Sequence, residues 1–472
     1  MALNLVRNSR VFFTTNVDSS TGVVATTGFN ATNTNEIQVL DGFTFSQNTN
    51  ADTVTISEAG VAPVRGQRSF NTSLAPVDFS LSTYIRPFNA TGSITAEESV
   101  LWNALLSVNA ISTANTITVG GTISGATYAF ALGDGTITLA GTSLTYAGLS
   151  VGDVVVISGL SHATDGVILN SSARVSALSA TAIALELTTP KAAGAAITTI
   201  TAGTVKLYKS AWAPVSSTYS VASTGGSNAN QLQKFGMIFI VDNVTYVVDN
   251  CAMNQVTVDF GLDAIATAAW TGQGTALKQS TVINAAALST VTAKNTAAQF
   301  ITNKLSTVQM SLVNSLGSAT AGTNYAVALT GGSITINNNI AYVTPANLGT
   351  VNIPTTYYTG TRAITGTMNA YLKTGSGVSS TGQLLADMLA AATSSVEPMA
   401  ALSITIGGAT NATKVVLEMP SVTFSIPTVD VQQVVSTAIN FTAEGYTPSA
   451  TTDANTFALD EVNDLTVRYY AS

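Results

Sequence analysis

Few residues in this chain could do chemistry, and their spacing argues against most of it. There is one histidine, His162, in a Ser/Thr/Asp-rich stretch, and one cysteine, Cys251, between strand-like runs. Ser-His-Asp catalysis would have to use His162, yet nothing near it resembles the strained turn that presents a nucleophile. A tetrahedral His/Cys zinc site cannot be built from one residue of each type. Cys251 also excludes an intrachain disulfide framework, and reads as a small buried apolar residue. Asp259 and Asp263 flank Phe260-Gly261-Leu262 and could imitate a glycosidase carboxylate pair. The simpler reading makes them acids of a turn or of an open strand face. The Gly-rich run Gly120–Gly125 lacks the Lys-Ser/Thr of a phosphate loop. Triplets such as Asn30-Ala31-Thr32 arise readily in a chain rich in Asn and Thr. The sequence therefore predicts no catalytic, cofactor-binding or metal-ligating residues, no cofactor and no enzymatic activity.

Composition narrows the classes further. Only 9% of the 472 residues are charged, against about 25% in an ordinary globular domain. Thr, Ser, Ala, Gly and Asn fill the deficit. That composition suits long strands and turns, and surfaces that other subunits cover. The net charge is −8 with 17 basic residues, so the chain is not one that grips nucleic acid by neutralising phosphates. The opening MALNLVRNSRVFF lacks the apolar stretch of a secretory signal. No run approaches the roughly 18 apolar residues of a membrane-spanning helix. Synthesis in the cytoplasm, with no membrane partner, is expected.

The elements that must position these residues occur twice. In Phe235–Gly274, a short apolar strand (Met237–Ile240) leads through a turn to a second strand (Val244–Val248). An alternating strand, Val256-Thr257-Val258-Asp259-Phe260, and a closing strand through Trp270-Thr271-Gly272 follow. Leu402–Gly445 repeats this order: Ile404–Ile406, Lys414–Leu417, the alternating Val422-Thr423-Phe424-Ser425-Ile426, and a close at Phe441–Gly445. Upstream of each lies a half-buried strand ending in an aromatic–aliphatic–basic triplet, Tyr84-Ile85-Arg86 and Tyr371-Leu372-Lys373. A helix follows each triplet. Thr95-Ala96-Glu97-Glu98 and Ser380-Thr381-Gly382-Gln383 both read as capping boxes, in which a hydroxyl and a Glu or Gln satisfy free backbone N–H groups. Val100/Leu101 with Ala104/Leu105, and Leu384/Leu385 with Met388/Leu389, mark one apolar face on each helix. A repeat of this kind sets the fold.

The copies differ at one junction. In the second, Ala392–Ala401 joins the helix to the closing strands; in the first, Ala110 to about Lys234 stands there. So large an insertion into one of two equivalent loops is expected to form a separate unit. Its clearest part, Gly148–Leu187, alternates strands with an Asp165-Gly166 turn and reads as a small β-barrel or sandwich. The expected organisation is mainly β: a discontinuous first domain (1–110 and 231–275), an inserted all-β domain (111–230) projecting outward, a linker (276–304) and a second domain (305–472). Each main domain is a barrel or sandwich with one short flanking helix.

The order of long hairpin, capped helix and closing strand ending in an aromatic and Gly resembles the tail tube proteins of long-tailed bacteriophages. The stretches that carry it are Gly66–Pro87, Thr95–Val108 and Asp242–Gly274, with their second-half counterparts. In the insertion, Val151–Gly159 and Asp165–Leu169 resemble the small β-domains that decorate phage tail proteins. The resemblance implies a structural virion protein that self-associates into stacked rings, through whose lumen double-stranded DNA passes without specific binding. It also implies other tail proteins as partners (tape measure, sheath or terminator). Single-barrel members form hexamers. Two barrels per chain imply trimeric rings with a pseudo-sixfold axis, or hexamers of two stacked barrels. An acidic balance would keep phosphates from sticking.

Other readings compete. A tail hub or baseplate protein, or a capsid decoration protein, stays within the virion class. A surface-layer or adhesin-like protein shares the Thr/Asn/Gly bias but needs an export signal. A carbohydrate-active enzyme would need more aromatics than the 7% present.

Overall fold

The computed structural model describes residues 8–470, apart from 41, 58, 63–64, 91–92, 107–115, 132–133, 147–148, 150–153, 162–171, 188–200, 209–211, 216–217, 223–231, 263, 293–298, 313–323, 328, 374–379, 392–398, 409–412, 427, 431–434 and 444–463. The protein is mainly β. The first copy opens with β1 (Arg10–Thr14), β2 (Thr34–Ile37), β3 (Thr44–Ser57) and β4 (Arg65–Tyr84). The short hairpin β5 (Pro87–Ala90) and β6 (Ser93–Ala96) leads to helix α1 (Ser99–Leu106). Seven strands then form a sheet of their own: β7 (Thr116–Thr118), β8 (Gly120–Ala131), β9 (Asp134–Thr145), β10 (Val154–Ser161), β11 (Ser172–Leu178), β12 (Ala182–Leu187) and β13 (Thr201–Tyr208). Ile137, Leu139, Val155, Ile157, Val175, Leu185 and Leu207 alternate inward from these strands into a separate core. The chain returns to the large sheet through β14 (Trp212–Val215) and β15 (Thr218–Ala222). The first copy closes with β16 (Phe235–Val241), β17 (Val244–Asp259), β18 (Thr267–Gly274) and β19 (Ala276–Ser280).

The second copy comprises β20 (Thr307–Leu312), β21 (Asn324–Val327), β22 (Leu329–Asn337), the small hairpin β23 (Ala341–Val343) and β24 (Thr356–Tyr358), and β25 (Ala363–Tyr371). Helix α2 (Thr381–Ala391), β26 (Met399–Gly407), β27 (Lys414–Phe424), β28 (Thr428–Asp430), β29 (Ser436–Ala443) and β30 (Thr466–Tyr470) complete it.

Strand pairing repeats between the copies. β2 pairs β1, β1 pairs β16, β16 pairs β17, β17 pairs β18, β18 pairs β4, and β4 pairs β3. The second copy follows the same path from β21 through β20, β26, β27, β29 and β25 to β22. Even the outer strand recurs, because β19 lies on β17 as β30 lies on β27.

One core runs through both copies, from Val11 and Phe13 to Val467 and Tyr469. Its centre is a T-shaped pair of fully buried tryptophans, Trp102 of α1 and Trp270 of β18, with ring centroids 5.0 Å apart. Truncating either to Ala would cost about 3–5 kcal/mol. Both indole N–H groups are satisfied, Trp270 donating to Thr83 Oγ1 (3.0 Å) and Trp102 to the Tyr469 hydroxyl (2.5 Å). A buried Trp needs such a partner.

The helix starts depart from the expected capping boxes. Thr95 lies in β6 opposite Phe88, and the first turn of α1 rises from Glu98, whose C=O accepts from Leu101 and Trp102. Ser380 does cap α2, its hydroxyl accepting from the Gln383 N–H (3.2 Å). Gln383 points forward instead of back, donating to Asp387 Oδ1 (3.0 Å), because the buried Asp387 needs partners and also accepts from the Tyr325 hydroxyl (2.7 Å). On α2, Leu384 and Met388 are buried while Leu389 is exposed; α1 is buried on nearly every side.

Candidate functional site

The residues singled out for chemistry do not converge. Cys251 is fully buried in β17; its thiol donates to the Val248 carbonyl (3.3 Å), and burial raises its pKa well above the ordinary value. Asp259 ends β17 with its side chain exposed, paired in register with Thr267 on one side and Ser333 on the other. Asp263, His162 and the Asp165-Gly166 turn lie outside the described residues. Gly120–Gly125 falls within β8, as hairpin backbone paired with β9. Asn30 is used locally, its Oδ1 accepting from the Thr32 N–H and hydroxyl. Among the described residues no group of three His, Cys, Asp or Glu could hold a metal ion.

What the fold builds instead is a face. Because β17 pairs β22 along Gln255↔Asn337 to Asp259↔Ser333, the closing strands of the two copies merge. The strands β3, β4, β18, β17, β22, β25, β29 and β27–β28 then follow one another across one continuous sheet. Alternation turns Val77, Phe79, Leu81, Val256, Val258, Trp270, Ile334, Ile336, Ile364, Met368, Ile439 and Phe441 into the core. The other face carries Thr44, Ser46, Asp78, Ser80, Thr257, Asp259, Thr271, Gln273, Thr335, Thr365, Thr367, Asn369, Asn440 and Thr442.

Cross-strand hydrogen bonds stitch that face together. Thr44 and Ser80 hydroxyls are 2.7 Å apart, Thr257 and Thr335 3.1 Å, and Thr367 donates to Asn440 Oδ1 at 2.8 Å. Gln273 donates to Asp78 Oδ1 at 2.9 Å. Pairs of this kind stabilise a sheet by roughly 0.2–1 kcal/mol each. Over the residues named here and β28 the charges are the carboxylates Asp78, Asp259 and Asp430, while Asp52 of β3 and Arg65 and Arg68 of β4 lie exposed farther along the hairpin. Sequence reading noted Asp259 but passed over Asp78 and Asp430. The signal for Asp78 was the alternation Val77-Asp78-Phe79-Ser80-Leu81, which puts the carboxylate opposite the core.

The ladders also fix which residues of the copies correspond. A register shift interrupts β16–β17 after Phe235↔Cys251, and the matching shift in β26–β27 follows Ala400↔Val422. Cys251 therefore corresponds to Val422, and counting on from each brings Asp259 to Asp430. The sequence pairing of Val256-Thr257-Val258 with Val422-Thr423-Phe424 is displaced by this count. In the other half, Val77 and Ile364 stand equally far before Tyr84 and Tyr371. Their partners Gln47 and Ile336 make Thr44, Phe45 and Ser46 the counterparts of Ser333, Ile334 and Thr335.

Buried polar groups lock the second copy onto the first. Glu98, immediately before α1, accepts from the Tyr469 hydroxyl of β30 (2.6 Å) and from the Arg86 N–H (3.4 Å). Burial pushes its pKa up to about 7 against these hydrogen bonds. Next to it on β30, fully buried Arg468 pairs with Glu418 of β27 at 2.7 Å. Burial raises the pKa of Glu418, and Arg468 offsets part of that rise.

The duplicated, mainly β sheet with its polar open face, merged through an internal strand pairing, suits the structural role in a phage virion tail that similarity to a tail tube protein supports. The chain is similar to the "Tail tube protein pb6" of Escherichia phage T5, 24% identical over 451 residues that cover 94% of this chain and 73% of that protein. No family model matches the chain. No helix among the described residues is long and apolar enough to cross a membrane.

Proposed function

We propose that copies of this chain close into rings, and that the polar face of the merged sheet lines a lumen through which double-stranded DNA passes. The observation that carries this reading is the β17–β22 junction, where one copy of the repeat already pairs edge to edge with the next. Three chains would supply six repeats around a pseudo-sixfold axis. Closure removes the free strand edges that otherwise invite uncontrolled pairing. A wall of hydroxyls, amides and a few carboxylates suits a conduit. A carboxylate within about 4 Å of a phosphate is repelled by roughly 1 kcal/mol in water, and the stretch of the face around Asp78, Asp259 and Asp430 carries no Lys or Arg among the residues named above.

The domain division that accompanies this reading keeps 1–110 with 231–275, and 305–472, as tube-type domains. Residues 111–230 carry the proposed outward insertion, with β7–β13 in their own sheet and β14–β15 paired back to the large one, and 276–304 links the copies after β19 has closed on β17. Stacked rings would also contact a tape measure, a sheath or a terminator protein. The role is mechanical and not enzymatic.

Negative-stain electron microscopy with rotational averaging of end-on views tests the proposal. Six-lobed hollow rings or tubes of threefold symmetry are the expected result. True sixfold rings of doubled height would replace the trimer by a hexamer. Monomers that persist at high concentration and across salt would overturn the ring.

A further inference from the structure

The segments that join β3 to β4 and β22 to β25 are counterparts, since Gln47 and Val77 stand where Ile336 and Ile364 stand in the second copy. They run to different places. In the first copy β3 and β4 stay paired with each other from Thr49↔Leu74 out to Ser57↔Arg65, as an arm that leaves Val54 and Phe70 exposed. In the second copy the chain leaves the ladder after Asn337, folds over the first copy through the β23–β24 hairpin, and rejoins the ladder at Ala363.

Cys251 and Met253 of β17 face the main core, and the excursion lies over Ala252 between them, with Ile340, Tyr342 and Tyr357 packed against Ala252 and Leu232. The Tyr342 hydroxyl is within hydrogen-bond reach of the carbonyls of Asn250 (2.6 Å) and Gln273 (3.1 Å), and the Tyr357 hydroxyl donates to that of Leu232 (2.8 Å). The buried Asn338 amide reaches the Leu105 carbonyl of α1 (2.8 Å) and that of Met253 (3.2 Å). Asn254, the extra residue where β17 slips against β18, accepts from the Asn338 N–H with its carbonyl (2.8 Å) and from the Ile340 N–H with Oδ1 (3.0 Å). Farther out, Asn352 exchanges backbone hydrogen bonds with Thr72 and Leu74 at the base of the first copy's arm. The count that relates Asp430 to Asp259 makes Ser425 the counterpart of Asn254, so the second copy presents no such amide to a neighbouring chain.

A strand ladder is a line of contacts about which its two sides can turn, and neighbouring strands differ in twist by roughly −10 to −35°. The β17–β22 ladder spans only Gln255–Asp259 and Ser333–Asn337. Contacts placed off that line remove the freedom it leaves. We infer that residues 338–361 are a clasp that presets the angle between the two copies within each chain, with Asn338, Tyr342 and Tyr357 as its positioning residues. Its use rests on the ring reading: a chain that brings one fixed turn leaves the adjustment needed for closure to the junctions between chains.

Spin labels test the clasp on the full-length protein. Gln279→Cys on β19 and Leu389→Cys on α2 place one label on each copy at exposed positions, and buried Cys251 stays unlabelled. Diluting labelled chains in an excess of unlabelled ones makes the measured distance an intrachain one. The parent should give one narrow distance. Tyr342→Ala with Tyr357→Ala should give a distribution about twofold broader, as the junction regains the ordinary spread of strand twist. Tyr342→Phe with Tyr357→Phe keeps the rings, loses the hydroxyl hydrogen bonds and should fall between. Amide exchange in β9 and β12 of the separate sheet should keep the parent's rates, which shows that the variants fold. In end-on images the Ala pair should give rings of mixed symmetry where the parent gives one. A broad distance in the parent, or one equally narrow in the Ala pair, would overturn the clasp. A broadened distance with rings of the parent's symmetry would overturn its part in setting the turn. If the parent forms no rings, the ring reading falls, and the labels still decide whether the clasp holds the angle.

Discussion

Phe79 lies across Gly272 on the neighbouring strand, and at the corresponding place in the second copy the two residues have changed sides. There Gly366 takes the position of Phe79 on the hairpin strand, and Phe441 takes that of Gly272 on the closing strand. In both copies the ring fills the space where a glycine side chain would stand. One large and one absent side chain are conserved as a sum, since the interior tolerates neither a void nor an overlap.

The exchange makes a testable pair. Gly366→Ala should destabilise by about 1–3 kcal/mol, because its methyl would overlap the Phe441 ring and the neighbouring strand must shift. Gly366→Phe combined with Phe441→Gly reproduces the first copy's arrangement and should recover most of what either single change loses. Chemical denaturation of the three variants measures the coupling. Additive losses would show that the two positions do not share one space.

Glu98 sets a pH dependence. Its folded pKa is raised from the ordinary value near 4.5 to about 7. The stabilisation it contributes is therefore fully present below about 4.5 and lost as the pH rises through about 7. At about 1.4 kcal/mol per pH unit, the loss amounts to about 3 kcal/mol. Glu98→Gln keeps an acceptor for Tyr469 and carries no charge. It should flatten the thermal-unfolding profile across that window and raise the Tm at pH 8. Equal pH slopes in parent and variant would refute the assignment.

Arg468 and Glu418 should behave as a unit. Arg468→Met leaves Glu418 buried beside no cation and should cost about 3–5 kcal/mol. Arg468→Met with Glu418→Gln removes both charges and should restore most of that loss. Urea unfolding of the single and double variants reads the difference. Because β30 also pairs β15, the single change should loosen the β14–β15 hairpin, measured as faster amide exchange at Ser220 and Val221.

The duplication was legible because strand alternation and the aromatic–aliphatic–basic triplets survive divergence. The β-rich class followed from the same pattern. The register of the closing strands was not legible. An alternating pattern looks unchanged after a shift of two residues, and the bulges after Phe235 and Ala400 that settle the count leave no local signature. The start of α1 was misplaced for a related reason, since Thr95 satisfies a cap pattern locally while the β5–β6 hairpin claims its backbone. Strand β30 was invisible as part of the core because its partners, β27 and β15, are set by distant pairing. The open face was half legible. Asp259 was noted as one of a possible catalytic pair, and its counterpart Asp430 becomes apparent only once the ladders align the copies.

The charge of that face is the last point to test. If the sheet lines a conduit, its carboxylates weaken phosphate contact and leave DNA free to slide. Asp78→Lys, Asp259→Lys and Asp430→Lys together convert the face from acidic to basic without touching the core, since Asp78, Asp259 and Asp430 are exposed. Assembled tubes of the triple variant should retain double-stranded DNA that parent tubes do not. Each lysine that contacts a phosphate should add about one to the magnitude of the salt dependence of binding. Co-sedimentation of tubes with short duplexes, from low to physiological salt, measures both. Parent and variant tubes that retain DNA equally, with the same salt slope, would place this face away from the DNA path even if rings form.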